Sequence, residues 1–209
     1  MRTYGQYCGL AKALDRVGDR WSLLIVRELL IRGRCRYTDL RDGLPGIATN
    51  LLADRLVDLE EAGVVRRDMA EPPVATSVYE LTERGKELEP VIAALGRWAG
   101  PLMAAPARRD AFRSHWLALP ARLYLSDRTP GRPPVEIELR SGDKPLTLQT
   151  TNGEVRARPG AAGNPDAVIT GAPDLIMGLL MGRTTLGKAR AAGLKYDGDP
   201  AVLRRVQRT

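Results

Sequence analysis

Residues 36–63, RYTDLRDGLPGIATNLLADRLVDLEEAG, decide the fold that we predict for the first half of the chain. A short helix ends at Gly43, a tight turn follows at Pro45, and a longer helix runs from Ile47 to Ala62. The apolar residues of the longer helix form one stripe, whereas its opposite face is polar and mostly small. At about 1.5 Å per residue this helix is roughly 24 Å long, which a DNA major groove can accommodate. The pattern therefore predicts a helix, a turn and a recognition helix.

The segment that precedes this stretch is also helical. Apolar residues at helical spacing predict one helix over residues 8–17 and an almost wholly apolar one over residues 21–33. We expect Asp19 to be the N-cap of the second helix and Thr38 to be the N-cap of the short helix after it. The central apolar helix should be buried.

The segment that follows predicts a wing. Two short β-rich runs at residues 64–68 and 77–81 are separated by a polar, proline-bearing loop that is too long for a tight hairpin. Thr82 begins a last helix with a broad apolar stripe, which Pro90 should kink or locally loosen. The whole order is that of a winged helix-turn-helix domain.

The composition changes after Met103, where a linker of small residues begins. We therefore expect a DNA-binding winged-helix domain over residues 1–103 and a second domain over residues 104–209. Alternating apolar and polar residues predict an antiparallel sheet with a hairpin turn at Asn152-Gly153. The expected strands are residues 121–125, 135–140, 146–150, 154–158, 166–171 and 194–197, and the expected helices are residues 110–119, 173–181, 186–192 and 200–206. The predicted fold class of the whole chain is α+β.

The charge of the chain is unevenly distributed. The formal net charge is +7, yet residues 1–103 hold 15 basic and 15 acidic side chains, so the whole excess lies in the second half. Any DNA contact of the first half must therefore depend on local clusters, such as Arg32, Arg34, Arg36 and Arg41.

Several classes of function are disfavoured by what the sequence lacks. No apolar run approaches the roughly 20 residues that span a bilayer, and the start has no signal-peptide pattern, so we expect a cytoplasmic protein with no membrane contact. Two cysteines and one histidine disfavour a metal site. No nucleophile motif, phosphate-binding glycine loop or acid-base pair is evident, so we expect neither an enzyme nor a cofactor.

Specific segments of the first half resemble the HxlR-type transcriptional regulators. The resemblance covers about residues 4–103 and is carried by CGLAKALDRVGDRWSLLIVREL, YTDL, LPGI, LLADRLVDLEEAGVV and YELTERGK, which begin at Cys8, Tyr37, Leu44, Leu51 and Tyr79. It implies a homodimer that binds double-stranded DNA, with a pseudo-palindromic operator expected from the twofold symmetry. Trp98, near the end of the last helix, would by this resemblance belong to the dimer contact.

The recognition helix departs from its relatives at Ala48, where many have Ser or Thr. If Thr49 is the cap instead, Asn50, Ala53 and Asp54 face the bases, and Arg55 reaches a phosphate or an adjacent base. The remaining candidate DNA contacts lie outside this helix. Arg36 and Thr38 would fix the angle at which the domain docks on the DNA. Arg66 and Arg67, at the base of the wing, could contact phosphates or could equally be solvated charges.

The two cysteines are candidates of different kinds. Cys8 matches the position of an N-terminal cysteine that senses oxidants in some HxlR-type proteins, although a buried structural thiol is the commoner case. Cys35 lies in an arginine-rich turn, which predicts a more electropositive setting.

The second half resembles sterol-carrier-protein domains, in which a sheet covered by helices encloses an apolar cavity. The resemblance is carried by the strand that begins at Asp166 and runs into a proline-started apolar helix. The candidate cavity residues are Leu175, Ile176, Leu179, Leu180 and Met181, which could equally fill the core of the domain. We therefore expect a DNA-binding regulator, in the form of a repressor, that senses a small hydrophobic effector. The alternative is a carrier of hydrophobic metabolites that uses its winged helix for protein contact.

Overall fold

A computed structural model describes residues 3–70, 76–104 and 110–208. The chain forms two compact units, Met1–Trp98 and Ala99–Thr209, which divide slightly before the boundary expected at residue 103. Residues 71–75 of the expected wing loop and residues 105–109 of the expected linker lie outside the described residues.

The first unit is a winged helix-turn-helix. Its elements are α1 (Gly9–Val17), α2 (Ser22–Arg32), β1 (Cys35–Arg36), α3 (Tyr37–Gly43), α4 (Thr49–Glu61), β2 (Val65–Met69), β3 (Ser77–Leu81), α5 (Glu83–Lys86) and α6 (Glu89–Ala99). The strands form an antiparallel sheet in the order β1-β3-β2, in which the short β1 was not predicted. The last helix is interrupted just before Pro90, as expected, because proline cannot donate a helical hydrogen bond.

The core of this unit is built around α2 and α4. Ile25 and Leu29 of α2 and Leu52, Leu56 and Leu59 of α4 are almost completely buried. Burial of a side chain of this size contributes roughly 1.5–3 kcal/mol. The stripe predicted for the recognition helix therefore lies in the core, and its opposite face is left to solvent.

The helix starts differ from those expected. Trp21 precedes α2 without a side-chain cap, so Asp19 does not have the capping role that was predicted. The residues with extended, cap-like backbone before α3 and α4 are Arg36 and Ala48. Thr38 and Thr49 therefore lie inside their helices, where no capping hydroxyl is required. Sequence reasoning failed here because a short polar side chain indicates a cap but does not fix its position.

A buried carboxylate joins α2 to the end of α3. The Glu28 side chain is completely buried and accepts from Arg27 Nη2 at 2.8 Å and from Arg32 Nε at 3.1 Å. Arg27 Nη2 also lies 3.3 Å from the Gly43 carbonyl oxygen, and burial is the main cause that lowers the pKa of Arg27. A Cβ atom at Gly43 would overlap the Glu28 carboxylate. The close approach of α3 to α2 thus requires glycine at this position.

The second unit is α+β. After 3₁₀ turns at Gly100–Ala104 and Ser114–Leu117, its helices are α7 (Ala118–Tyr124), α8 (Pro173–Leu180), α9 (Leu186–Ala191) and α10 (Pro200–Arg205). Its strands are β4 (Leu125–Asp127), β5 (Glu136–Ser141), β6 (Lys144–Thr151), β7 (Glu154–Pro159), β8 (Ala167–Thr170), β9 (Lys195–Gly198) and β10 (Val206–Arg208). None of the helices within the described ranges is long and apolar enough to cross a membrane.

These strands form one sheet in the order β10-β4-β7-β6-β5-β8-β9. The hairpin between β6 and β7 turns at Asn152 and Gly153, which have φ values of 51° and 89°, as an Asn-Gly turn requires.

Two expectations for this sheet were wrong. Residues 121–125 are mostly helical, because Ala, Leu and Arg favour a helix and five alternating residues fit one helix face as well as a strand. The sheet is also not wholly antiparallel, since β5 and β8 are parallel. The chain returns from β7 past β5 before β8 begins, and the Ala162 N–H donates to the Glu138 carboxylate on the way.

A buried ion pair ties the C-terminal segment to this sheet. Arg205 donates from Nε and Nη2 to the two carboxylate oxygens of Asp127, each at 2.7 Å. The hydrogen bond from Arg205 is the main cause that lowers the pKa of Asp127. The pair holds α10 where β10 can add to the edge of β4.

We predict that Gly43→Ala lowers the free energy of unfolding by about 1–3 kcal/mol, because Glu28 is held by two arginines and cannot yield to the new methyl group. Urea unfolding followed by circular dichroism measures the change. Gly9→Ala is the matched control, since a Cβ atom there meets nothing within 4 Å. Equal stability of the two variants would contradict the close contact.

Candidate nucleic-acid interface

The exposed face of α4 carries small and polar side chains. Thr49, Asn50, Ala53 and Asp54 are exposed, whereas the leucines on the reverse face lie in the core. Asn50 can pair with an adenine edge, and Ala53 leaves room for close approach to a base. The face thus has the size and chemistry of a major-groove reader.

The start of α4 is fixed by Tyr37, a residue that was not predicted to have a functional role. Its Oη donates to the Thr49 carbonyl oxygen at 2.6 Å, and its ring packs against the core. This bond joins the first residue of α3 to the first residue of α4. It sets the position of the recognition helix relative to Arg36 and Thr38, both of which are exposed at the start of α3.

Strand β1 brings Arg34, the residue next to Cys35, close to the wing. Cys35 pairs with Tyr79 and Arg36 with Val78, so β1 lies beside β3. The neighbouring Arg34 is exposed and donates from Nη2 to the Met69 carbonyl oxygen at 3.1 Å. Sequence reasoning noted Arg34 only as part of an arginine cluster, because a strand of two residues gives no periodic signal.

The two arginines predicted at the wing base are both exposed, and both have partners. Arg66 pairs with Glu80 at 2.9 Å and with Asp68 at 3.5 Å. Arg67 Nη2 donates to Ser77 Oγ at 2.7 Å, and its guanidinium lies 6.0 Å from the centre of the Tyr79 ring. These contacts orient the guanidinium groups on the wing strands without burying them.

Arg55 is placed differently from the other candidates. Its side chain is only 21% exposed, and its Nη1 forms ion pairs with Asp19 and Asp58. It therefore does not extend freely from the exposed face that carries Asn50.

The two cysteines lie in contrasting environments. Cys8 is exposed, directly before α1. Cys35 is buried in the core, and burial raises the pKa of its thiol to about 12, with a further contribution from Asp39. The electropositive setting expected for Cys35 is wrong, because besides burial the charges of Asp39 and Glu28 raise the pKa of the thiol and outweigh Arg32, which lowers it.

The candidate cavity residues of the second unit lie on or just after α8. Ile176, Leu179 and Leu180 are buried, while Leu175 and Met181 are half-buried. The helix packs against α9, β10 and the turn at Ser114–Leu117. Among the described residues, no group of three or more His, Cys, Asp or Glu side chains could hold a metal ion.

The fold and the exposed helix define a winged-helix DNA-binding protein, and comparison with known proteins gives the family. Residues 16–105 match the HxlR-like helix-turn-helix family, and residues 128–209 match the SCP-2 sterol transfer family. The chain belongs to the HxlR-type helix-turn-helix transcriptional regulators and carries an SCP-2-like domain after the DNA-binding domain.

Individual known proteins are similar to part of this chain. The uncharacterized HTH-type transcriptional regulator YvaP of Bacillus subtilis (strain 168) is 38% identical over 88 residues, which are 42% of this chain and 81% of YvaP. The corresponding regulator sll1512 of Synechocystis sp. is 39% identical over 92 residues, which are 44% of this chain and 67% of sll1512. The structure of the reduced form of the regulator YodB from B. subtilis covers 49% of this chain and 100% of its own, with 28% identity and a TM-score of 0.42.

We predict that Cys8 reacts with iodoacetamide in the folded protein at pH 8, whereas Cys35 does not. With a pKa near 12, only about one thiol in ten thousand is ionised at that pH, and the thiolate is the reactive form. Mass spectrometry of the single variants Cys8→Ser and Cys35→Ser measures each thiol separately. Urea should expose Cys35 to the reagent, and equal rates in the folded state would contradict its burial.

Proposed function

We propose that this regulator is a homodimeric repressor that binds a pseudo-palindromic DNA site, and that its SCP-2-like domain senses a small hydrophobic ligand. The observation that carries the DNA-binding part is the two-sided character of α4. Its leucine stripe is buried, and Thr49, Asn50 and Ala53 stand exposed on the reverse face. A helix so anchored can enter a major groove without loss of core packing.

We assign the surrounding exposed residues to the phosphate backbone. Arg36 and Thr38 at the start of α3 are suited to contact the strand beside the groove, and Arg66 and Arg67 extend the contact along the wing. The salt bridges of Arg66 are exposed, so a phosphate can compete with Glu80 at small cost. Because the DNA-binding half has no net charge, the salt dependence of binding should be shallower than that of strongly basic repressors.

Exposed apolar side chains on two helices support the dimer. Leu10 and Leu14 of α1 are 69% and 40% exposed, and Val91, Leu95 and Trp98 follow one stripe of α6 with Trp98 77% exposed. Large apolar residues at helical spacing are costly to leave in water, and aromatic residues dominate stable interfaces. A second copy of the chain is the partner that we propose for these stripes.

The SCP-2 family match supports the ligand-sensing part. Leu175, Ile176, Leu179, Leu180 and Met181 supply apolar surface along and just after α8, and methionine adapts to ligands of irregular shape. A ligand changes DNA affinity only by its differential affinity for the binding and non-binding forms, for which about 1–3 kcal/mol is typical. No cofactor is required by this mechanism.

The same family match also favours the alternative, a carrier of hydrophobic metabolites that uses the winged helix for protein contact. Retardation of a duplex from the promoter region next to its own gene separates the two functions. A carrier would bind the lipid and leave the duplex unshifted.

We predict that Asn50→Ala relaxes sequence preference at one base pair by about 1–3 kcal/mol, because the amide makes two hydrogen bonds with one base. Arg66→Ala should instead weaken all duplexes to a similar degree. Fluorescence anisotropy with single-base variants of the retarded duplex measures both effects. Asn164→Ala, at an exposed position of the second unit, is the control, and uniform effects of both test variants would show that α4 is not the base reader.

We predict that Leu179→Asp abolishes the response of DNA affinity to a dansyl-labelled fatty acid, because a carboxylate in an apolar site excludes the chain of the ligand. Leu179→Phe, which keeps the site apolar, should retain binding of the probe. Thermal unfolding of both variants identifies any loss of the fold itself. An unchanged response in the Asp variant would exclude α8 from the ligand site.

A further inference from the structure

Arg55 lies on the flank of α4 that faces away from the candidate base contacts. At about 100° per residue, it is about 140° from Asn50 and about 160° from Ala53 around the helix axis. The Arg55 side chain is 21% exposed, whereas Asn50 and Ala53 are on the exposed side. The side chain of an arginine at this position lies against its own domain, away from the face that carries Asn50.

The partners of Arg55 are two carboxylates. Its Nη1 pairs with Asp19, in the turn between α1 and α2, and with Asp58 Oδ2 at 3.0 Å, one turn further along α4. Its Nε is buried and has no hydrogen-bond partner within the described part of the chain. Two carboxylates beside one guanidinium give the site a net negative charge, which repels a DNA phosphate.

We propose that Arg55 is a positioning residue, which pairs with Asp19 to set the rotation of α4 about its own axis and does not contact the DNA. The proposal rests on the proposed function, in which the exposed face of α4 reads the bases. The buried leucine stripe prevents large rotations of α4, but apolar packing is not directional and leaves the fine rotation of the helix to polar contacts. A charge-assisted hydrogen bond is directional.

Two directional polar contacts at different points along a helix fix its rotation about its own axis. The hydroxyl of Tyr37 holds the first residue of α4, Thr49, and Asp19 holds the middle of the helix through Arg55. Together they set the direction in which Asn50 is presented.

The test compares Asp19→Asn, Arg55→Gln and the double variant in the full chain. Affinity is measured for the retarded duplex and for a scrambled duplex at several KCl concentrations. Each single variant should weaken specific binding about threefold to thirtyfold, with no change for the scrambled duplex, and the double variant should be no weaker than either single one. The slope of log affinity against log salt should stay unchanged, since no phosphate contact is lost.

Two controls calibrate this result. Asp197→Asn removes the same charge from an exposed position of the second unit and should not reproduce the loss of specificity. Arg36→Gln removes a proposed phosphate contact from each half of the dimer and should reduce the salt slope by about two units.

A phosphate contact by Arg55 gives the opposite results. Arg55→Gln would then reduce the salt slope by about two units, one for each half of the dimer, and Asp19→Asn would strengthen binding because it frees the guanidinium. Either result overturns the proposal, as do additive effects of the two substitutions. If the wild-type chain binds no duplex, the proposed function fails. The free energies of unfolding in urea of the wild type, the two single variants and the double variant then give the coupling energy between Asp19 and Arg55. A coupling energy of zero overturns the positioning role.

Discussion

The burial of Leu52, Leu56 and Leu59 against α2 is the constraint on which the DNA-binding unit depends. Burying these leucines commits one side of α4 to the core and leaves the other side to solvent. Apolar burial is strong but not directional, so it decides which side of the helix faces the core without fixing the fine rotation of the helix about its axis. Polar contacts supply that precision, through the Tyr37 hydroxyl at the start of the helix and the Arg55 pairs in its middle.

Glu28 has a comparable role where the end of α3 contacts α2. A completely buried carboxylate is costly unless it is paired, and Arg27 and Arg32 provide that compensation. The carboxylate in turn lies against Gly43, so the end of α3 is held close to α2. In the second unit the Asp127–Arg205 pair has a similar function, since it fixes the segment that completes the sheet. Both units thus use a buried ion pair where the chain must be held at one position.

Much of the fold was predictable because it follows from periodic burial. The stripe of α4, the two wing strands and the Asn152-Gly153 hairpin each carry a local signal, and the structure has all of them. Residues 121–125 were predicted to form a strand but are mostly helical, because a short alternating run fits a helix as well as a strand. The parallel pairing of β5 with β8 was missed because the direction of a strand depends on how the chain returns to the sheet.

The sequence by itself determined the class of this protein, the position of its recognition helix and the presence of a second domain with sterol-carrier character. The position of the recognition helix follows from the periodicity of the apolar residues, whereas the class and the sterol-carrier character follow from the resemblance of particular segments to known families. Only the tertiary structure decided which side chains are available for function. It buried Cys35 and raised the pKa of its thiol, and it paired Arg55 with Asp19. Such outcomes depend on groups far apart in the chain, whose approach is set by packing and desolvation and leaves no local pattern.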